Sequence, residues 1–506
     1  MSAAIIKQQT LEQYFSSFRR NIIGPDQTFD GPYGRRKIVY ADWTASGRCY
    51  GPIEDYLREQ IMPFIANTHT ESTTTGTLMT KAYEWAKDIL KAHVNADKDD
   101  ILIFCGSGMT SAVNKLQRIL GIRVPERIGG FFIGGKSSIN VSGKLRPVVF
   151  ITAMEHHSNQ ISWLETIADV EIIGLTENGN VDLNNLEELL EKYKHHQLKI
   201  AAITACSNVT GIETPYHEIA KLVHAYRGLC FVDFAASAPY VRIDMHPADT
   251  NALLDGIYFS PHKFLGGPGT PGVLLFNKRV YNNNVPDHPG GGTVNYSNPW
   301  KEHQYIESIE QKEDGGTPPI LQAIKAGLCV RLKEEMGIQH LLDREREMLP
   351  VVFDTFARLK NVCLLERGNK QRLGIFSFVV HGANHNLIVR LLNDRFGIQT
   401  RGGCSCAGTY GHYLLNVDKR QSRGILRSIR EEGLSKKPGW VRLSIHPTMT
   451  NKELEFILAA IEETAANYTR WQTDYHHNKI LNEYRHKSAP SSEEAIVESL
   501  NDIHLT

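Results

Sequence analysis

The chain has 506 residues, with 56 Lys+Arg against 56 Asp+Glu, so its formal net charge is zero. The basic excess of an electrostatic nucleic-acid binder is absent, and 41 Gly and 21 Pro exclude collagen-like and low-complexity classes. The length exceeds what one compact core holds, so two or more domains are expected.

No run of 18 apolar residues occurs, which excludes a membrane-spanning helix. The first residues, MSAAIIKQQTLEQYF, lack the long apolar core of a secretory signal, and a cytoplasmic protein is expected. The eight cysteines are too sparse for a disulfide scaffold.

Residues 76–92 space their apolar positions like an amphipathic helix. Short apolar runs then alternate with helical patterns. ILIF (101–104), VVFIT (148–152), IAAITAC (200–206), LCFVD (229–233), GIYFS (256–260) and GVLLF (272–276) read as strands. Wholly apolar strands alternating with helices indicate a buried, mostly parallel sheet with helices on both faces. The stretch 122–147 reads as a surface excursion. Near residue 315 the pattern changes to a long helical stretch. Strand candidates at 362–366 and 374–380, a helix, a cysteine loop, the strand GWVRLSI and a closing helix follow, which reads as a smaller α+β domain. We expect an arm over 1–37 packing with the small domain, a large domain over 38–314, a small domain over 315–470, and a peripheral or disordered tail over 471–506.

The strand ends carry the chemistry. Lys263 enters a Gly/Pro-rich loop after a buried strand, where desolvation lowers an amine's pKa as a Schiff-base lysine requires. A plain surface lysine is the alternative. Asp233 ends another apolar strand, and ligands of open α/β sheets sit beyond the carboxyl ends of strands. Such a carboxylate can keep a pyridine nitrogen protonated, or it can simply be a turn residue. Cys105-Gly-Ser-Gly108-Met109-Thr110 turns into a helix, whose free N–H groups and dipole suit a phosphate. His156 and His157 follow a fourth strand. With no third ligand at convincing spacing we assign no metal, and an imidazole stacked on an aromatic cofactor is the better reading. Asn208 follows a fifth strand.

These segments resemble the fold-type I pyridoxal phosphate (PLP) enzymes of the class V aminotransferase and cysteine desulfurase superfamily. The cysteine desulfurase/selenocysteine lyase branch is the nearest in look. MEHHSNQISW, SNVTGIETP, VDFAASAP, FSPHKFLGGPGTPGVLLF, EDGGTPP and WVRLSIHPTMT match family blocks in order between about residues 38 and 465. The resemblance implies a seven-stranded-type, mostly parallel sheet and the smaller α+β domain. It implies Lys263 as the Schiff-base lysine, Asp233 on the pyridinium nitrogen and His156 on the ring. Asn208 would contact the 3-hydroxyl region or the substrate. Gly108, Met109, Thr110, Ser260 and His262 would hold the phosphate. Thr293 would complete the phosphate site of a neighbouring subunit in a homodimer. Arg442 would bind the substrate carboxylate, with Arg401 as a second anchor and His69 near the substrate. Cys406, five residues after Arg401, falls on the thiolate position of a desulfurase. That activity would turn L-cysteine into alanine and a persulfide passed to a sulfur-acceptor protein. Two departures stand out: Ala236 replaces a glutamine, and the loop after Cys406 reads GTYGHYLL. A class V aminotransferase or lyase, acting on an amino acid without a catalytic thiol, is the alternative.

Overall fold

The computed structural model describes residues 9–68, 71–127, 143–488, 497 and 499–500. The chain divides into two compact units, residues 44–342 and residues 1–43 with 343–506.

The core of unit 44–342 is a seven-stranded sheet. In spatial order its strands are Asp100–Cys105, Gly272–Asn277, Gly256–Phe259, Leu229–Asp233, Lys199–Thr204, Val148–Thr152 and Asp169–Ile173. Gly272–Asn277 runs antiparallel to both neighbours, and the other pairs are parallel. Helices cover both faces, so the interiors of the central strands are apolar. Val149–Ile151, Ile200–Ile203 and Val273–Phe276 are fully buried. The sheet is the mostly parallel α/β layer expected from the sequence.

Asp169–Ile173 was not foreseen as a strand. It lies at the sheet edge, where Glu171 and Ile172 stay exposed to different degrees and no continuous apolar run is required. Helix Thr74–His93 packs on helix Ile320–Met336 in the same unit. The contact is close at Gly327, where a Cβ would press on the Trp85 ring.

The other unit holds a four-stranded antiparallel sheet in the order Val362–Leu364, Ile375–Val380, Trp440–Ser444, Arg401–Gly403. Helix His385–Phe396 packs on its strands, and helix Asn451–Trp471 packs on that helix. Thr450 and Glu453 form a capping box on the second helix, which satisfies its free N–H groups. The helix Leu11–Arg20 belongs to this unit, buries Phe15 and pairs Arg19 with Glu453. Tyr475–Asn478 and Glu483–His486 form a hairpin. Among the described residues no helix is long and apolar enough to cross a membrane.

Candidate functional site

The carboxyl ends of the parallel strands lie along one edge of the sheet. Asp233 stands in register with Thr204 on one side and Tyr258 on the other. Val273 faces both Phe104 and Phe259, which aligns the ends of those two strands as well.

Asp233 is 3% exposed, and its Oδ1 accepts the Ala235 N–H at 2.8 Å. Burial raises its pKa to about 6, against the opposing pull of that N–H and of the Lys263 charge. Lys263 is therefore within electrostatic reach of Asp233. It lies in the short 3-10 turn Pro261–Lys263 that follows strand Gly256–Phe259. Gly47 N–H donates to His262 O at 2.9 Å, and a Cβ at Gly47 would collide with the Phe264 carbonyl. A glycine is required for that approach.

The glycine turn precedes helix Met109–Ile119, whose N-cap Gly108 offers no side-chain acceptor to the first turn. Met109 N–H donates to Ser260 Oγ at 2.9 Å, and His262 Nδ1 lies 3.0 Å from Ser107 O. A Cβ at Gly108 would lie 3.0 Å from His262 and 3.1 Å from Ser260 Oγ. Thus Gly108, Met109, Ser260 and His262 are brought together. Thr110 joins them and shares a 2.7 Å hydrogen bond with Ser158. Burial and the Lys263 charge lower the His262 pKa, favouring a neutral ring.

His156 caps helix His157–Leu164, accepting the Ser158 N–H on Nδ1 at 3.2 Å. Asn208 is 7% exposed in the turn after strand Lys199–Thr204. Thr293 is fully buried within the chain, and its hydroxyl donates to Gly290 O at 2.7 Å. His69 lies outside the described residues.

In the other unit, Arg401 and Arg442 are cross-strand partners. Asp42 bridges them: its Oδ1 accepts from Arg442 at 2.6 Å and its Oδ2 from Arg401 at 2.9 Å. The Arg442 side chain is 4% exposed and that of Arg401 is 51% exposed. Burial lowers the Arg442 pKa and Asp42 counters it. Cys406 is exposed and Cys404 half-buried, and both thiols are free. Ser405 and Cys406 both adopt left-handed backbone, with φ of 49° and 55°. Trp440 Nε1–H donates to Ser405 Oγ at 3.1 Å, and Ala407 N–H closes a turn on Cys404 O at 2.9 Å. Such non-glycine conformations cost energy and persist only where surroundings hold them.

Sequence reasoning missed Asp42. It sits in the run IVYADWTAS (38–46), but nothing local ties it to arginines some 360 and 400 residues away. It also missed the buried hydrogen-bond set around Glu155 and Asn159, although both lie in the MEHHSN block.

A lysine and a buried carboxylate at neighbouring strand ends, beside a glycine turn that opens a helix, mark the class of α/β enzymes that work at the carboxyl edge of a sheet. Residues 139–457 match the family model described as Aminotransferase class-V, and the chain belongs to this family. A probable cysteine desulfurase of Halalkalibacterium halodurans is 28% identical over 378 residues, 73% of this chain and 84% of the relative. One from Staphylococcus aureus is 24% identical over 386 residues, 76% of this chain and 85% of the relative. In fold, the chain resembles the apo cysteine desulfurase of Thermococcus onnurineus NA1, with a TM-score of 0.69 at 21% identity, covering 89% of this chain and 98% of that one. The cysteine desulfurase CsdA of Escherichia coli gives 0.66 at 20% identity, covering 90% and 98%.

Proposed function

We propose that the protein is a PLP-dependent enzyme of the cysteine desulfurase type, converting L-cysteine to alanine and delivering the sulfur to Cys406. The observation that carries this reading is the placement of buried Asp233 and Lys263 at adjoining strand ends beside the Gly108 turn.

The residues present suit the cofactor. The Gly108 cradle would be filled by a Cβ, and the first turn of an 11-residue helix directs N–H groups and a positive dipole end there. Thr110, Ser260 and His262 add polar atoms for a phosphate, and Thr293 would serve a partner's site. Asp233 is the carboxylate suited to a pyridine nitrogen, Lys263 the amine suited to a carbonyl carbon, His156 the ring partner, and Asn208 the amide for the 3-hydroxyl region or the substrate. Bound there, the cofactor supplies an electron sink for the pair left on the substrate carbon.

The chain's own residues supply the rest. Arg442, with Arg401 and His69, binds and orients the substrate carboxylate, as a guanidinium does best. Lys263 would hold the proton and move it between substrate carbons. The Cys406 thiolate attacks the substrate sulfur. The Cβ–S bond breaks, Cβ takes a proton, and alanine leaves with a persulfide on Cys406. A sulfur-acceptor protein then takes the outer sulfur. The homodimer and the cytoplasmic location belong to the same proposal, as do the domain limits of 1–37, 38–314, 315–470 and 471–506.

A second reading, amino transfer or lyase chemistry without a thiol, draws on Ala236. It stands buried where the desulfurases that the sequence resembles carry a glutamine, so no side-chain amide is offered there. Sulfide release from L-cysteine by the wild type and by Cys406→Ala separates the two. Release that requires Cys406 supports the desulfurase. Amino transfer to a keto acid, unchanged in Cys406→Ala, supports the second reading.

A further inference from the structure

Asp233 makes its own hydrogen bond to the Ala235 N–H, and its position also depends on its two in-register neighbours, Thr204 and Tyr258. Residues opposite one another in adjacent strands project from the same face of a sheet. Both neighbours are tied to one pair of buried polar side chains. Thr204 N–H donates to Glu155 Oε1 at 2.8 Å. The Tyr258 hydroxyl donates to Asn159 Oδ1 at 2.6 Å. Asn159 Nδ2 closes the bridge by donating to Glu155 Oε2 at 2.8 Å, and it also reaches Ala202 O at 3.1 Å.

The bridge is anchored at its ends. Thr152 donates its hydroxyl to Glu155 Oε1 at 2.6 Å, and Trp163 Nε1–H donates to Asn159 Oδ1 at 3.1 Å. Glu155 is 1% exposed, and Asn159, Tyr258 and Trp163 are fully buried. A carboxyl group placed this deep is costly, and apolar packing of the same volume would stabilise a core at least as well. What a fully satisfied polar network adds is a unique geometry. The same two residues flank His156, at positions 155 and 159, so one network reaches both the ring histidine's segment and the strands beside Asp233.

We propose that Glu155, Asn159 and Tyr258 are positioning residues for Asp233: their hydrogen-bonded bridge between its two neighbouring strands fixes where its carboxylate points. The proposal rests on the reading that Asp233 faces the cofactor nitrogen. Outer partners that orient a functional group in this way change its performance without touching the ligand. The electrostatics agree with this closeness, since the Asp233 charge opposes the ionisation of both Glu155 and Tyr258.

The test is a double-mutant cycle on PLP binding to the apoenzyme, read by visible absorbance titration and by visible circular dichroism of the bound cofactor. Tyr258→Phe removes one hydroxyl and keeps the ring. It is expected to weaken PLP binding about 10-fold and to alter the dichroic band when Asp233 is present, but to change affinity less than about 2-fold in an Asp233→Asn background. Glu155→Gln, whose amide sets a donor against Asn159 Nδ2, is run through the same cycle and serves if Tyr258→Phe does not fold. Equal losses in both backgrounds would reduce the network to general packing and overturn the positioning role. No change in either background would overturn it too. If Asp233→Asn alone leaves affinity and dichroism unchanged, the assignment of Asp233 itself fails, and the inference fails with it.

Discussion

Asp42 Oδ1 accepts a 2.6 Å hydrogen bond from Arg442, the arginine to which the substrate carboxylate is assigned. The guanidinium therefore already holds one carboxylate before any substrate arrives. The Arg442 side chain is 4% exposed, so removing Asp42's charge leaves a buried cation without its counter-charge. Asp42→Asn is expected to lower the unfolding free energy of the apoprotein by about 3 kcal/mol in urea. Arg401→Ala cuts the other arm of the clamp, but that side chain is half exposed, and a loss under about 1 kcal/mol is expected. Comparable losses for the two variants would contradict the buried character of the Arg442 pair.

Asp233 makes stability depend on pH with a defined sign. Burial lifts its folded pKa from 3.8 to about 6, so the folded state binds the proton more tightly than the unfolded chain. Stability from this group is full below pH 3.8 and falls as pH rises through about 6. Above that range the ionised group costs the apoprotein on the order of 3 kcal/mol. Asp233→Asn removes the cost. The variant's apoprotein should therefore match the wild type near pH 4 and exceed it above pH 6, by thermal melts across that range, while binding PLP more weakly. A stability gap that does not change with pH would show that Asp233 is not the titrating group.

Much of this site could be read from the chain alone, for a physical reason. A buried parallel strand must be apolar on both faces, so LCFVD and GIYFS announce both their identity and where they stop. The residue at the stop then falls at the sheet edge, as with Asp233. What could not be read was whatever depends on distant pairing. Asp42 meets Arg442 only because the two segments fold together. The edge strand Asp169–Ile173 carries no continuous apolar run, since only part of it is covered. The left-handed backbone at Ser405 and Cys406 was invisible, because neither residue is a glycine and both are held there by neighbours.

Lys263 lies in the turn after a strand, within electrostatic reach of a buried carboxylate, which is the setting for an amine that bonds a carbonyl. Holoenzyme treated with borohydride is expected to fix the cofactor covalently on the peptide containing Lys263, as read by mass spectrometry. Lys263→Ala should lose both the visible absorbance of the bound cofactor and turnover. A reducible covalent adduct that persists in Lys263→Ala would move the attachment point elsewhere.

Cys406 and Cys404 are two residues apart, and the structure separates them. Cys406 is exposed, and Cys404 is half-buried at the start of the turn that Ala407 N–H closes on its carbonyl. After incubation with L-cysteine, alkylation and mass spectrometry should locate persulfide on Cys406, and Cys406→Ser should abolish it. Persulfide confined to Cys404 would reverse the assignment. The backbone offers a second, independent readout. With φ of 55°, Cys406 occupies a conformation that costs an L side chain roughly 1 kcal/mol and costs glycine almost nothing. Cys406→Gly should thus be about 1 kcal/mol more stable than Cys406→Ala in urea unfolding, less the glycine's greater unfolded-state freedom. Both variants should release no sulfide. A thiol kept in a strained conformation that glycine would relieve is what a reactive position leads one to expect. A glycine variant clearly less stable than the alanine variant would remove the strain argument and leave the persulfide map as the sole support for Cys406.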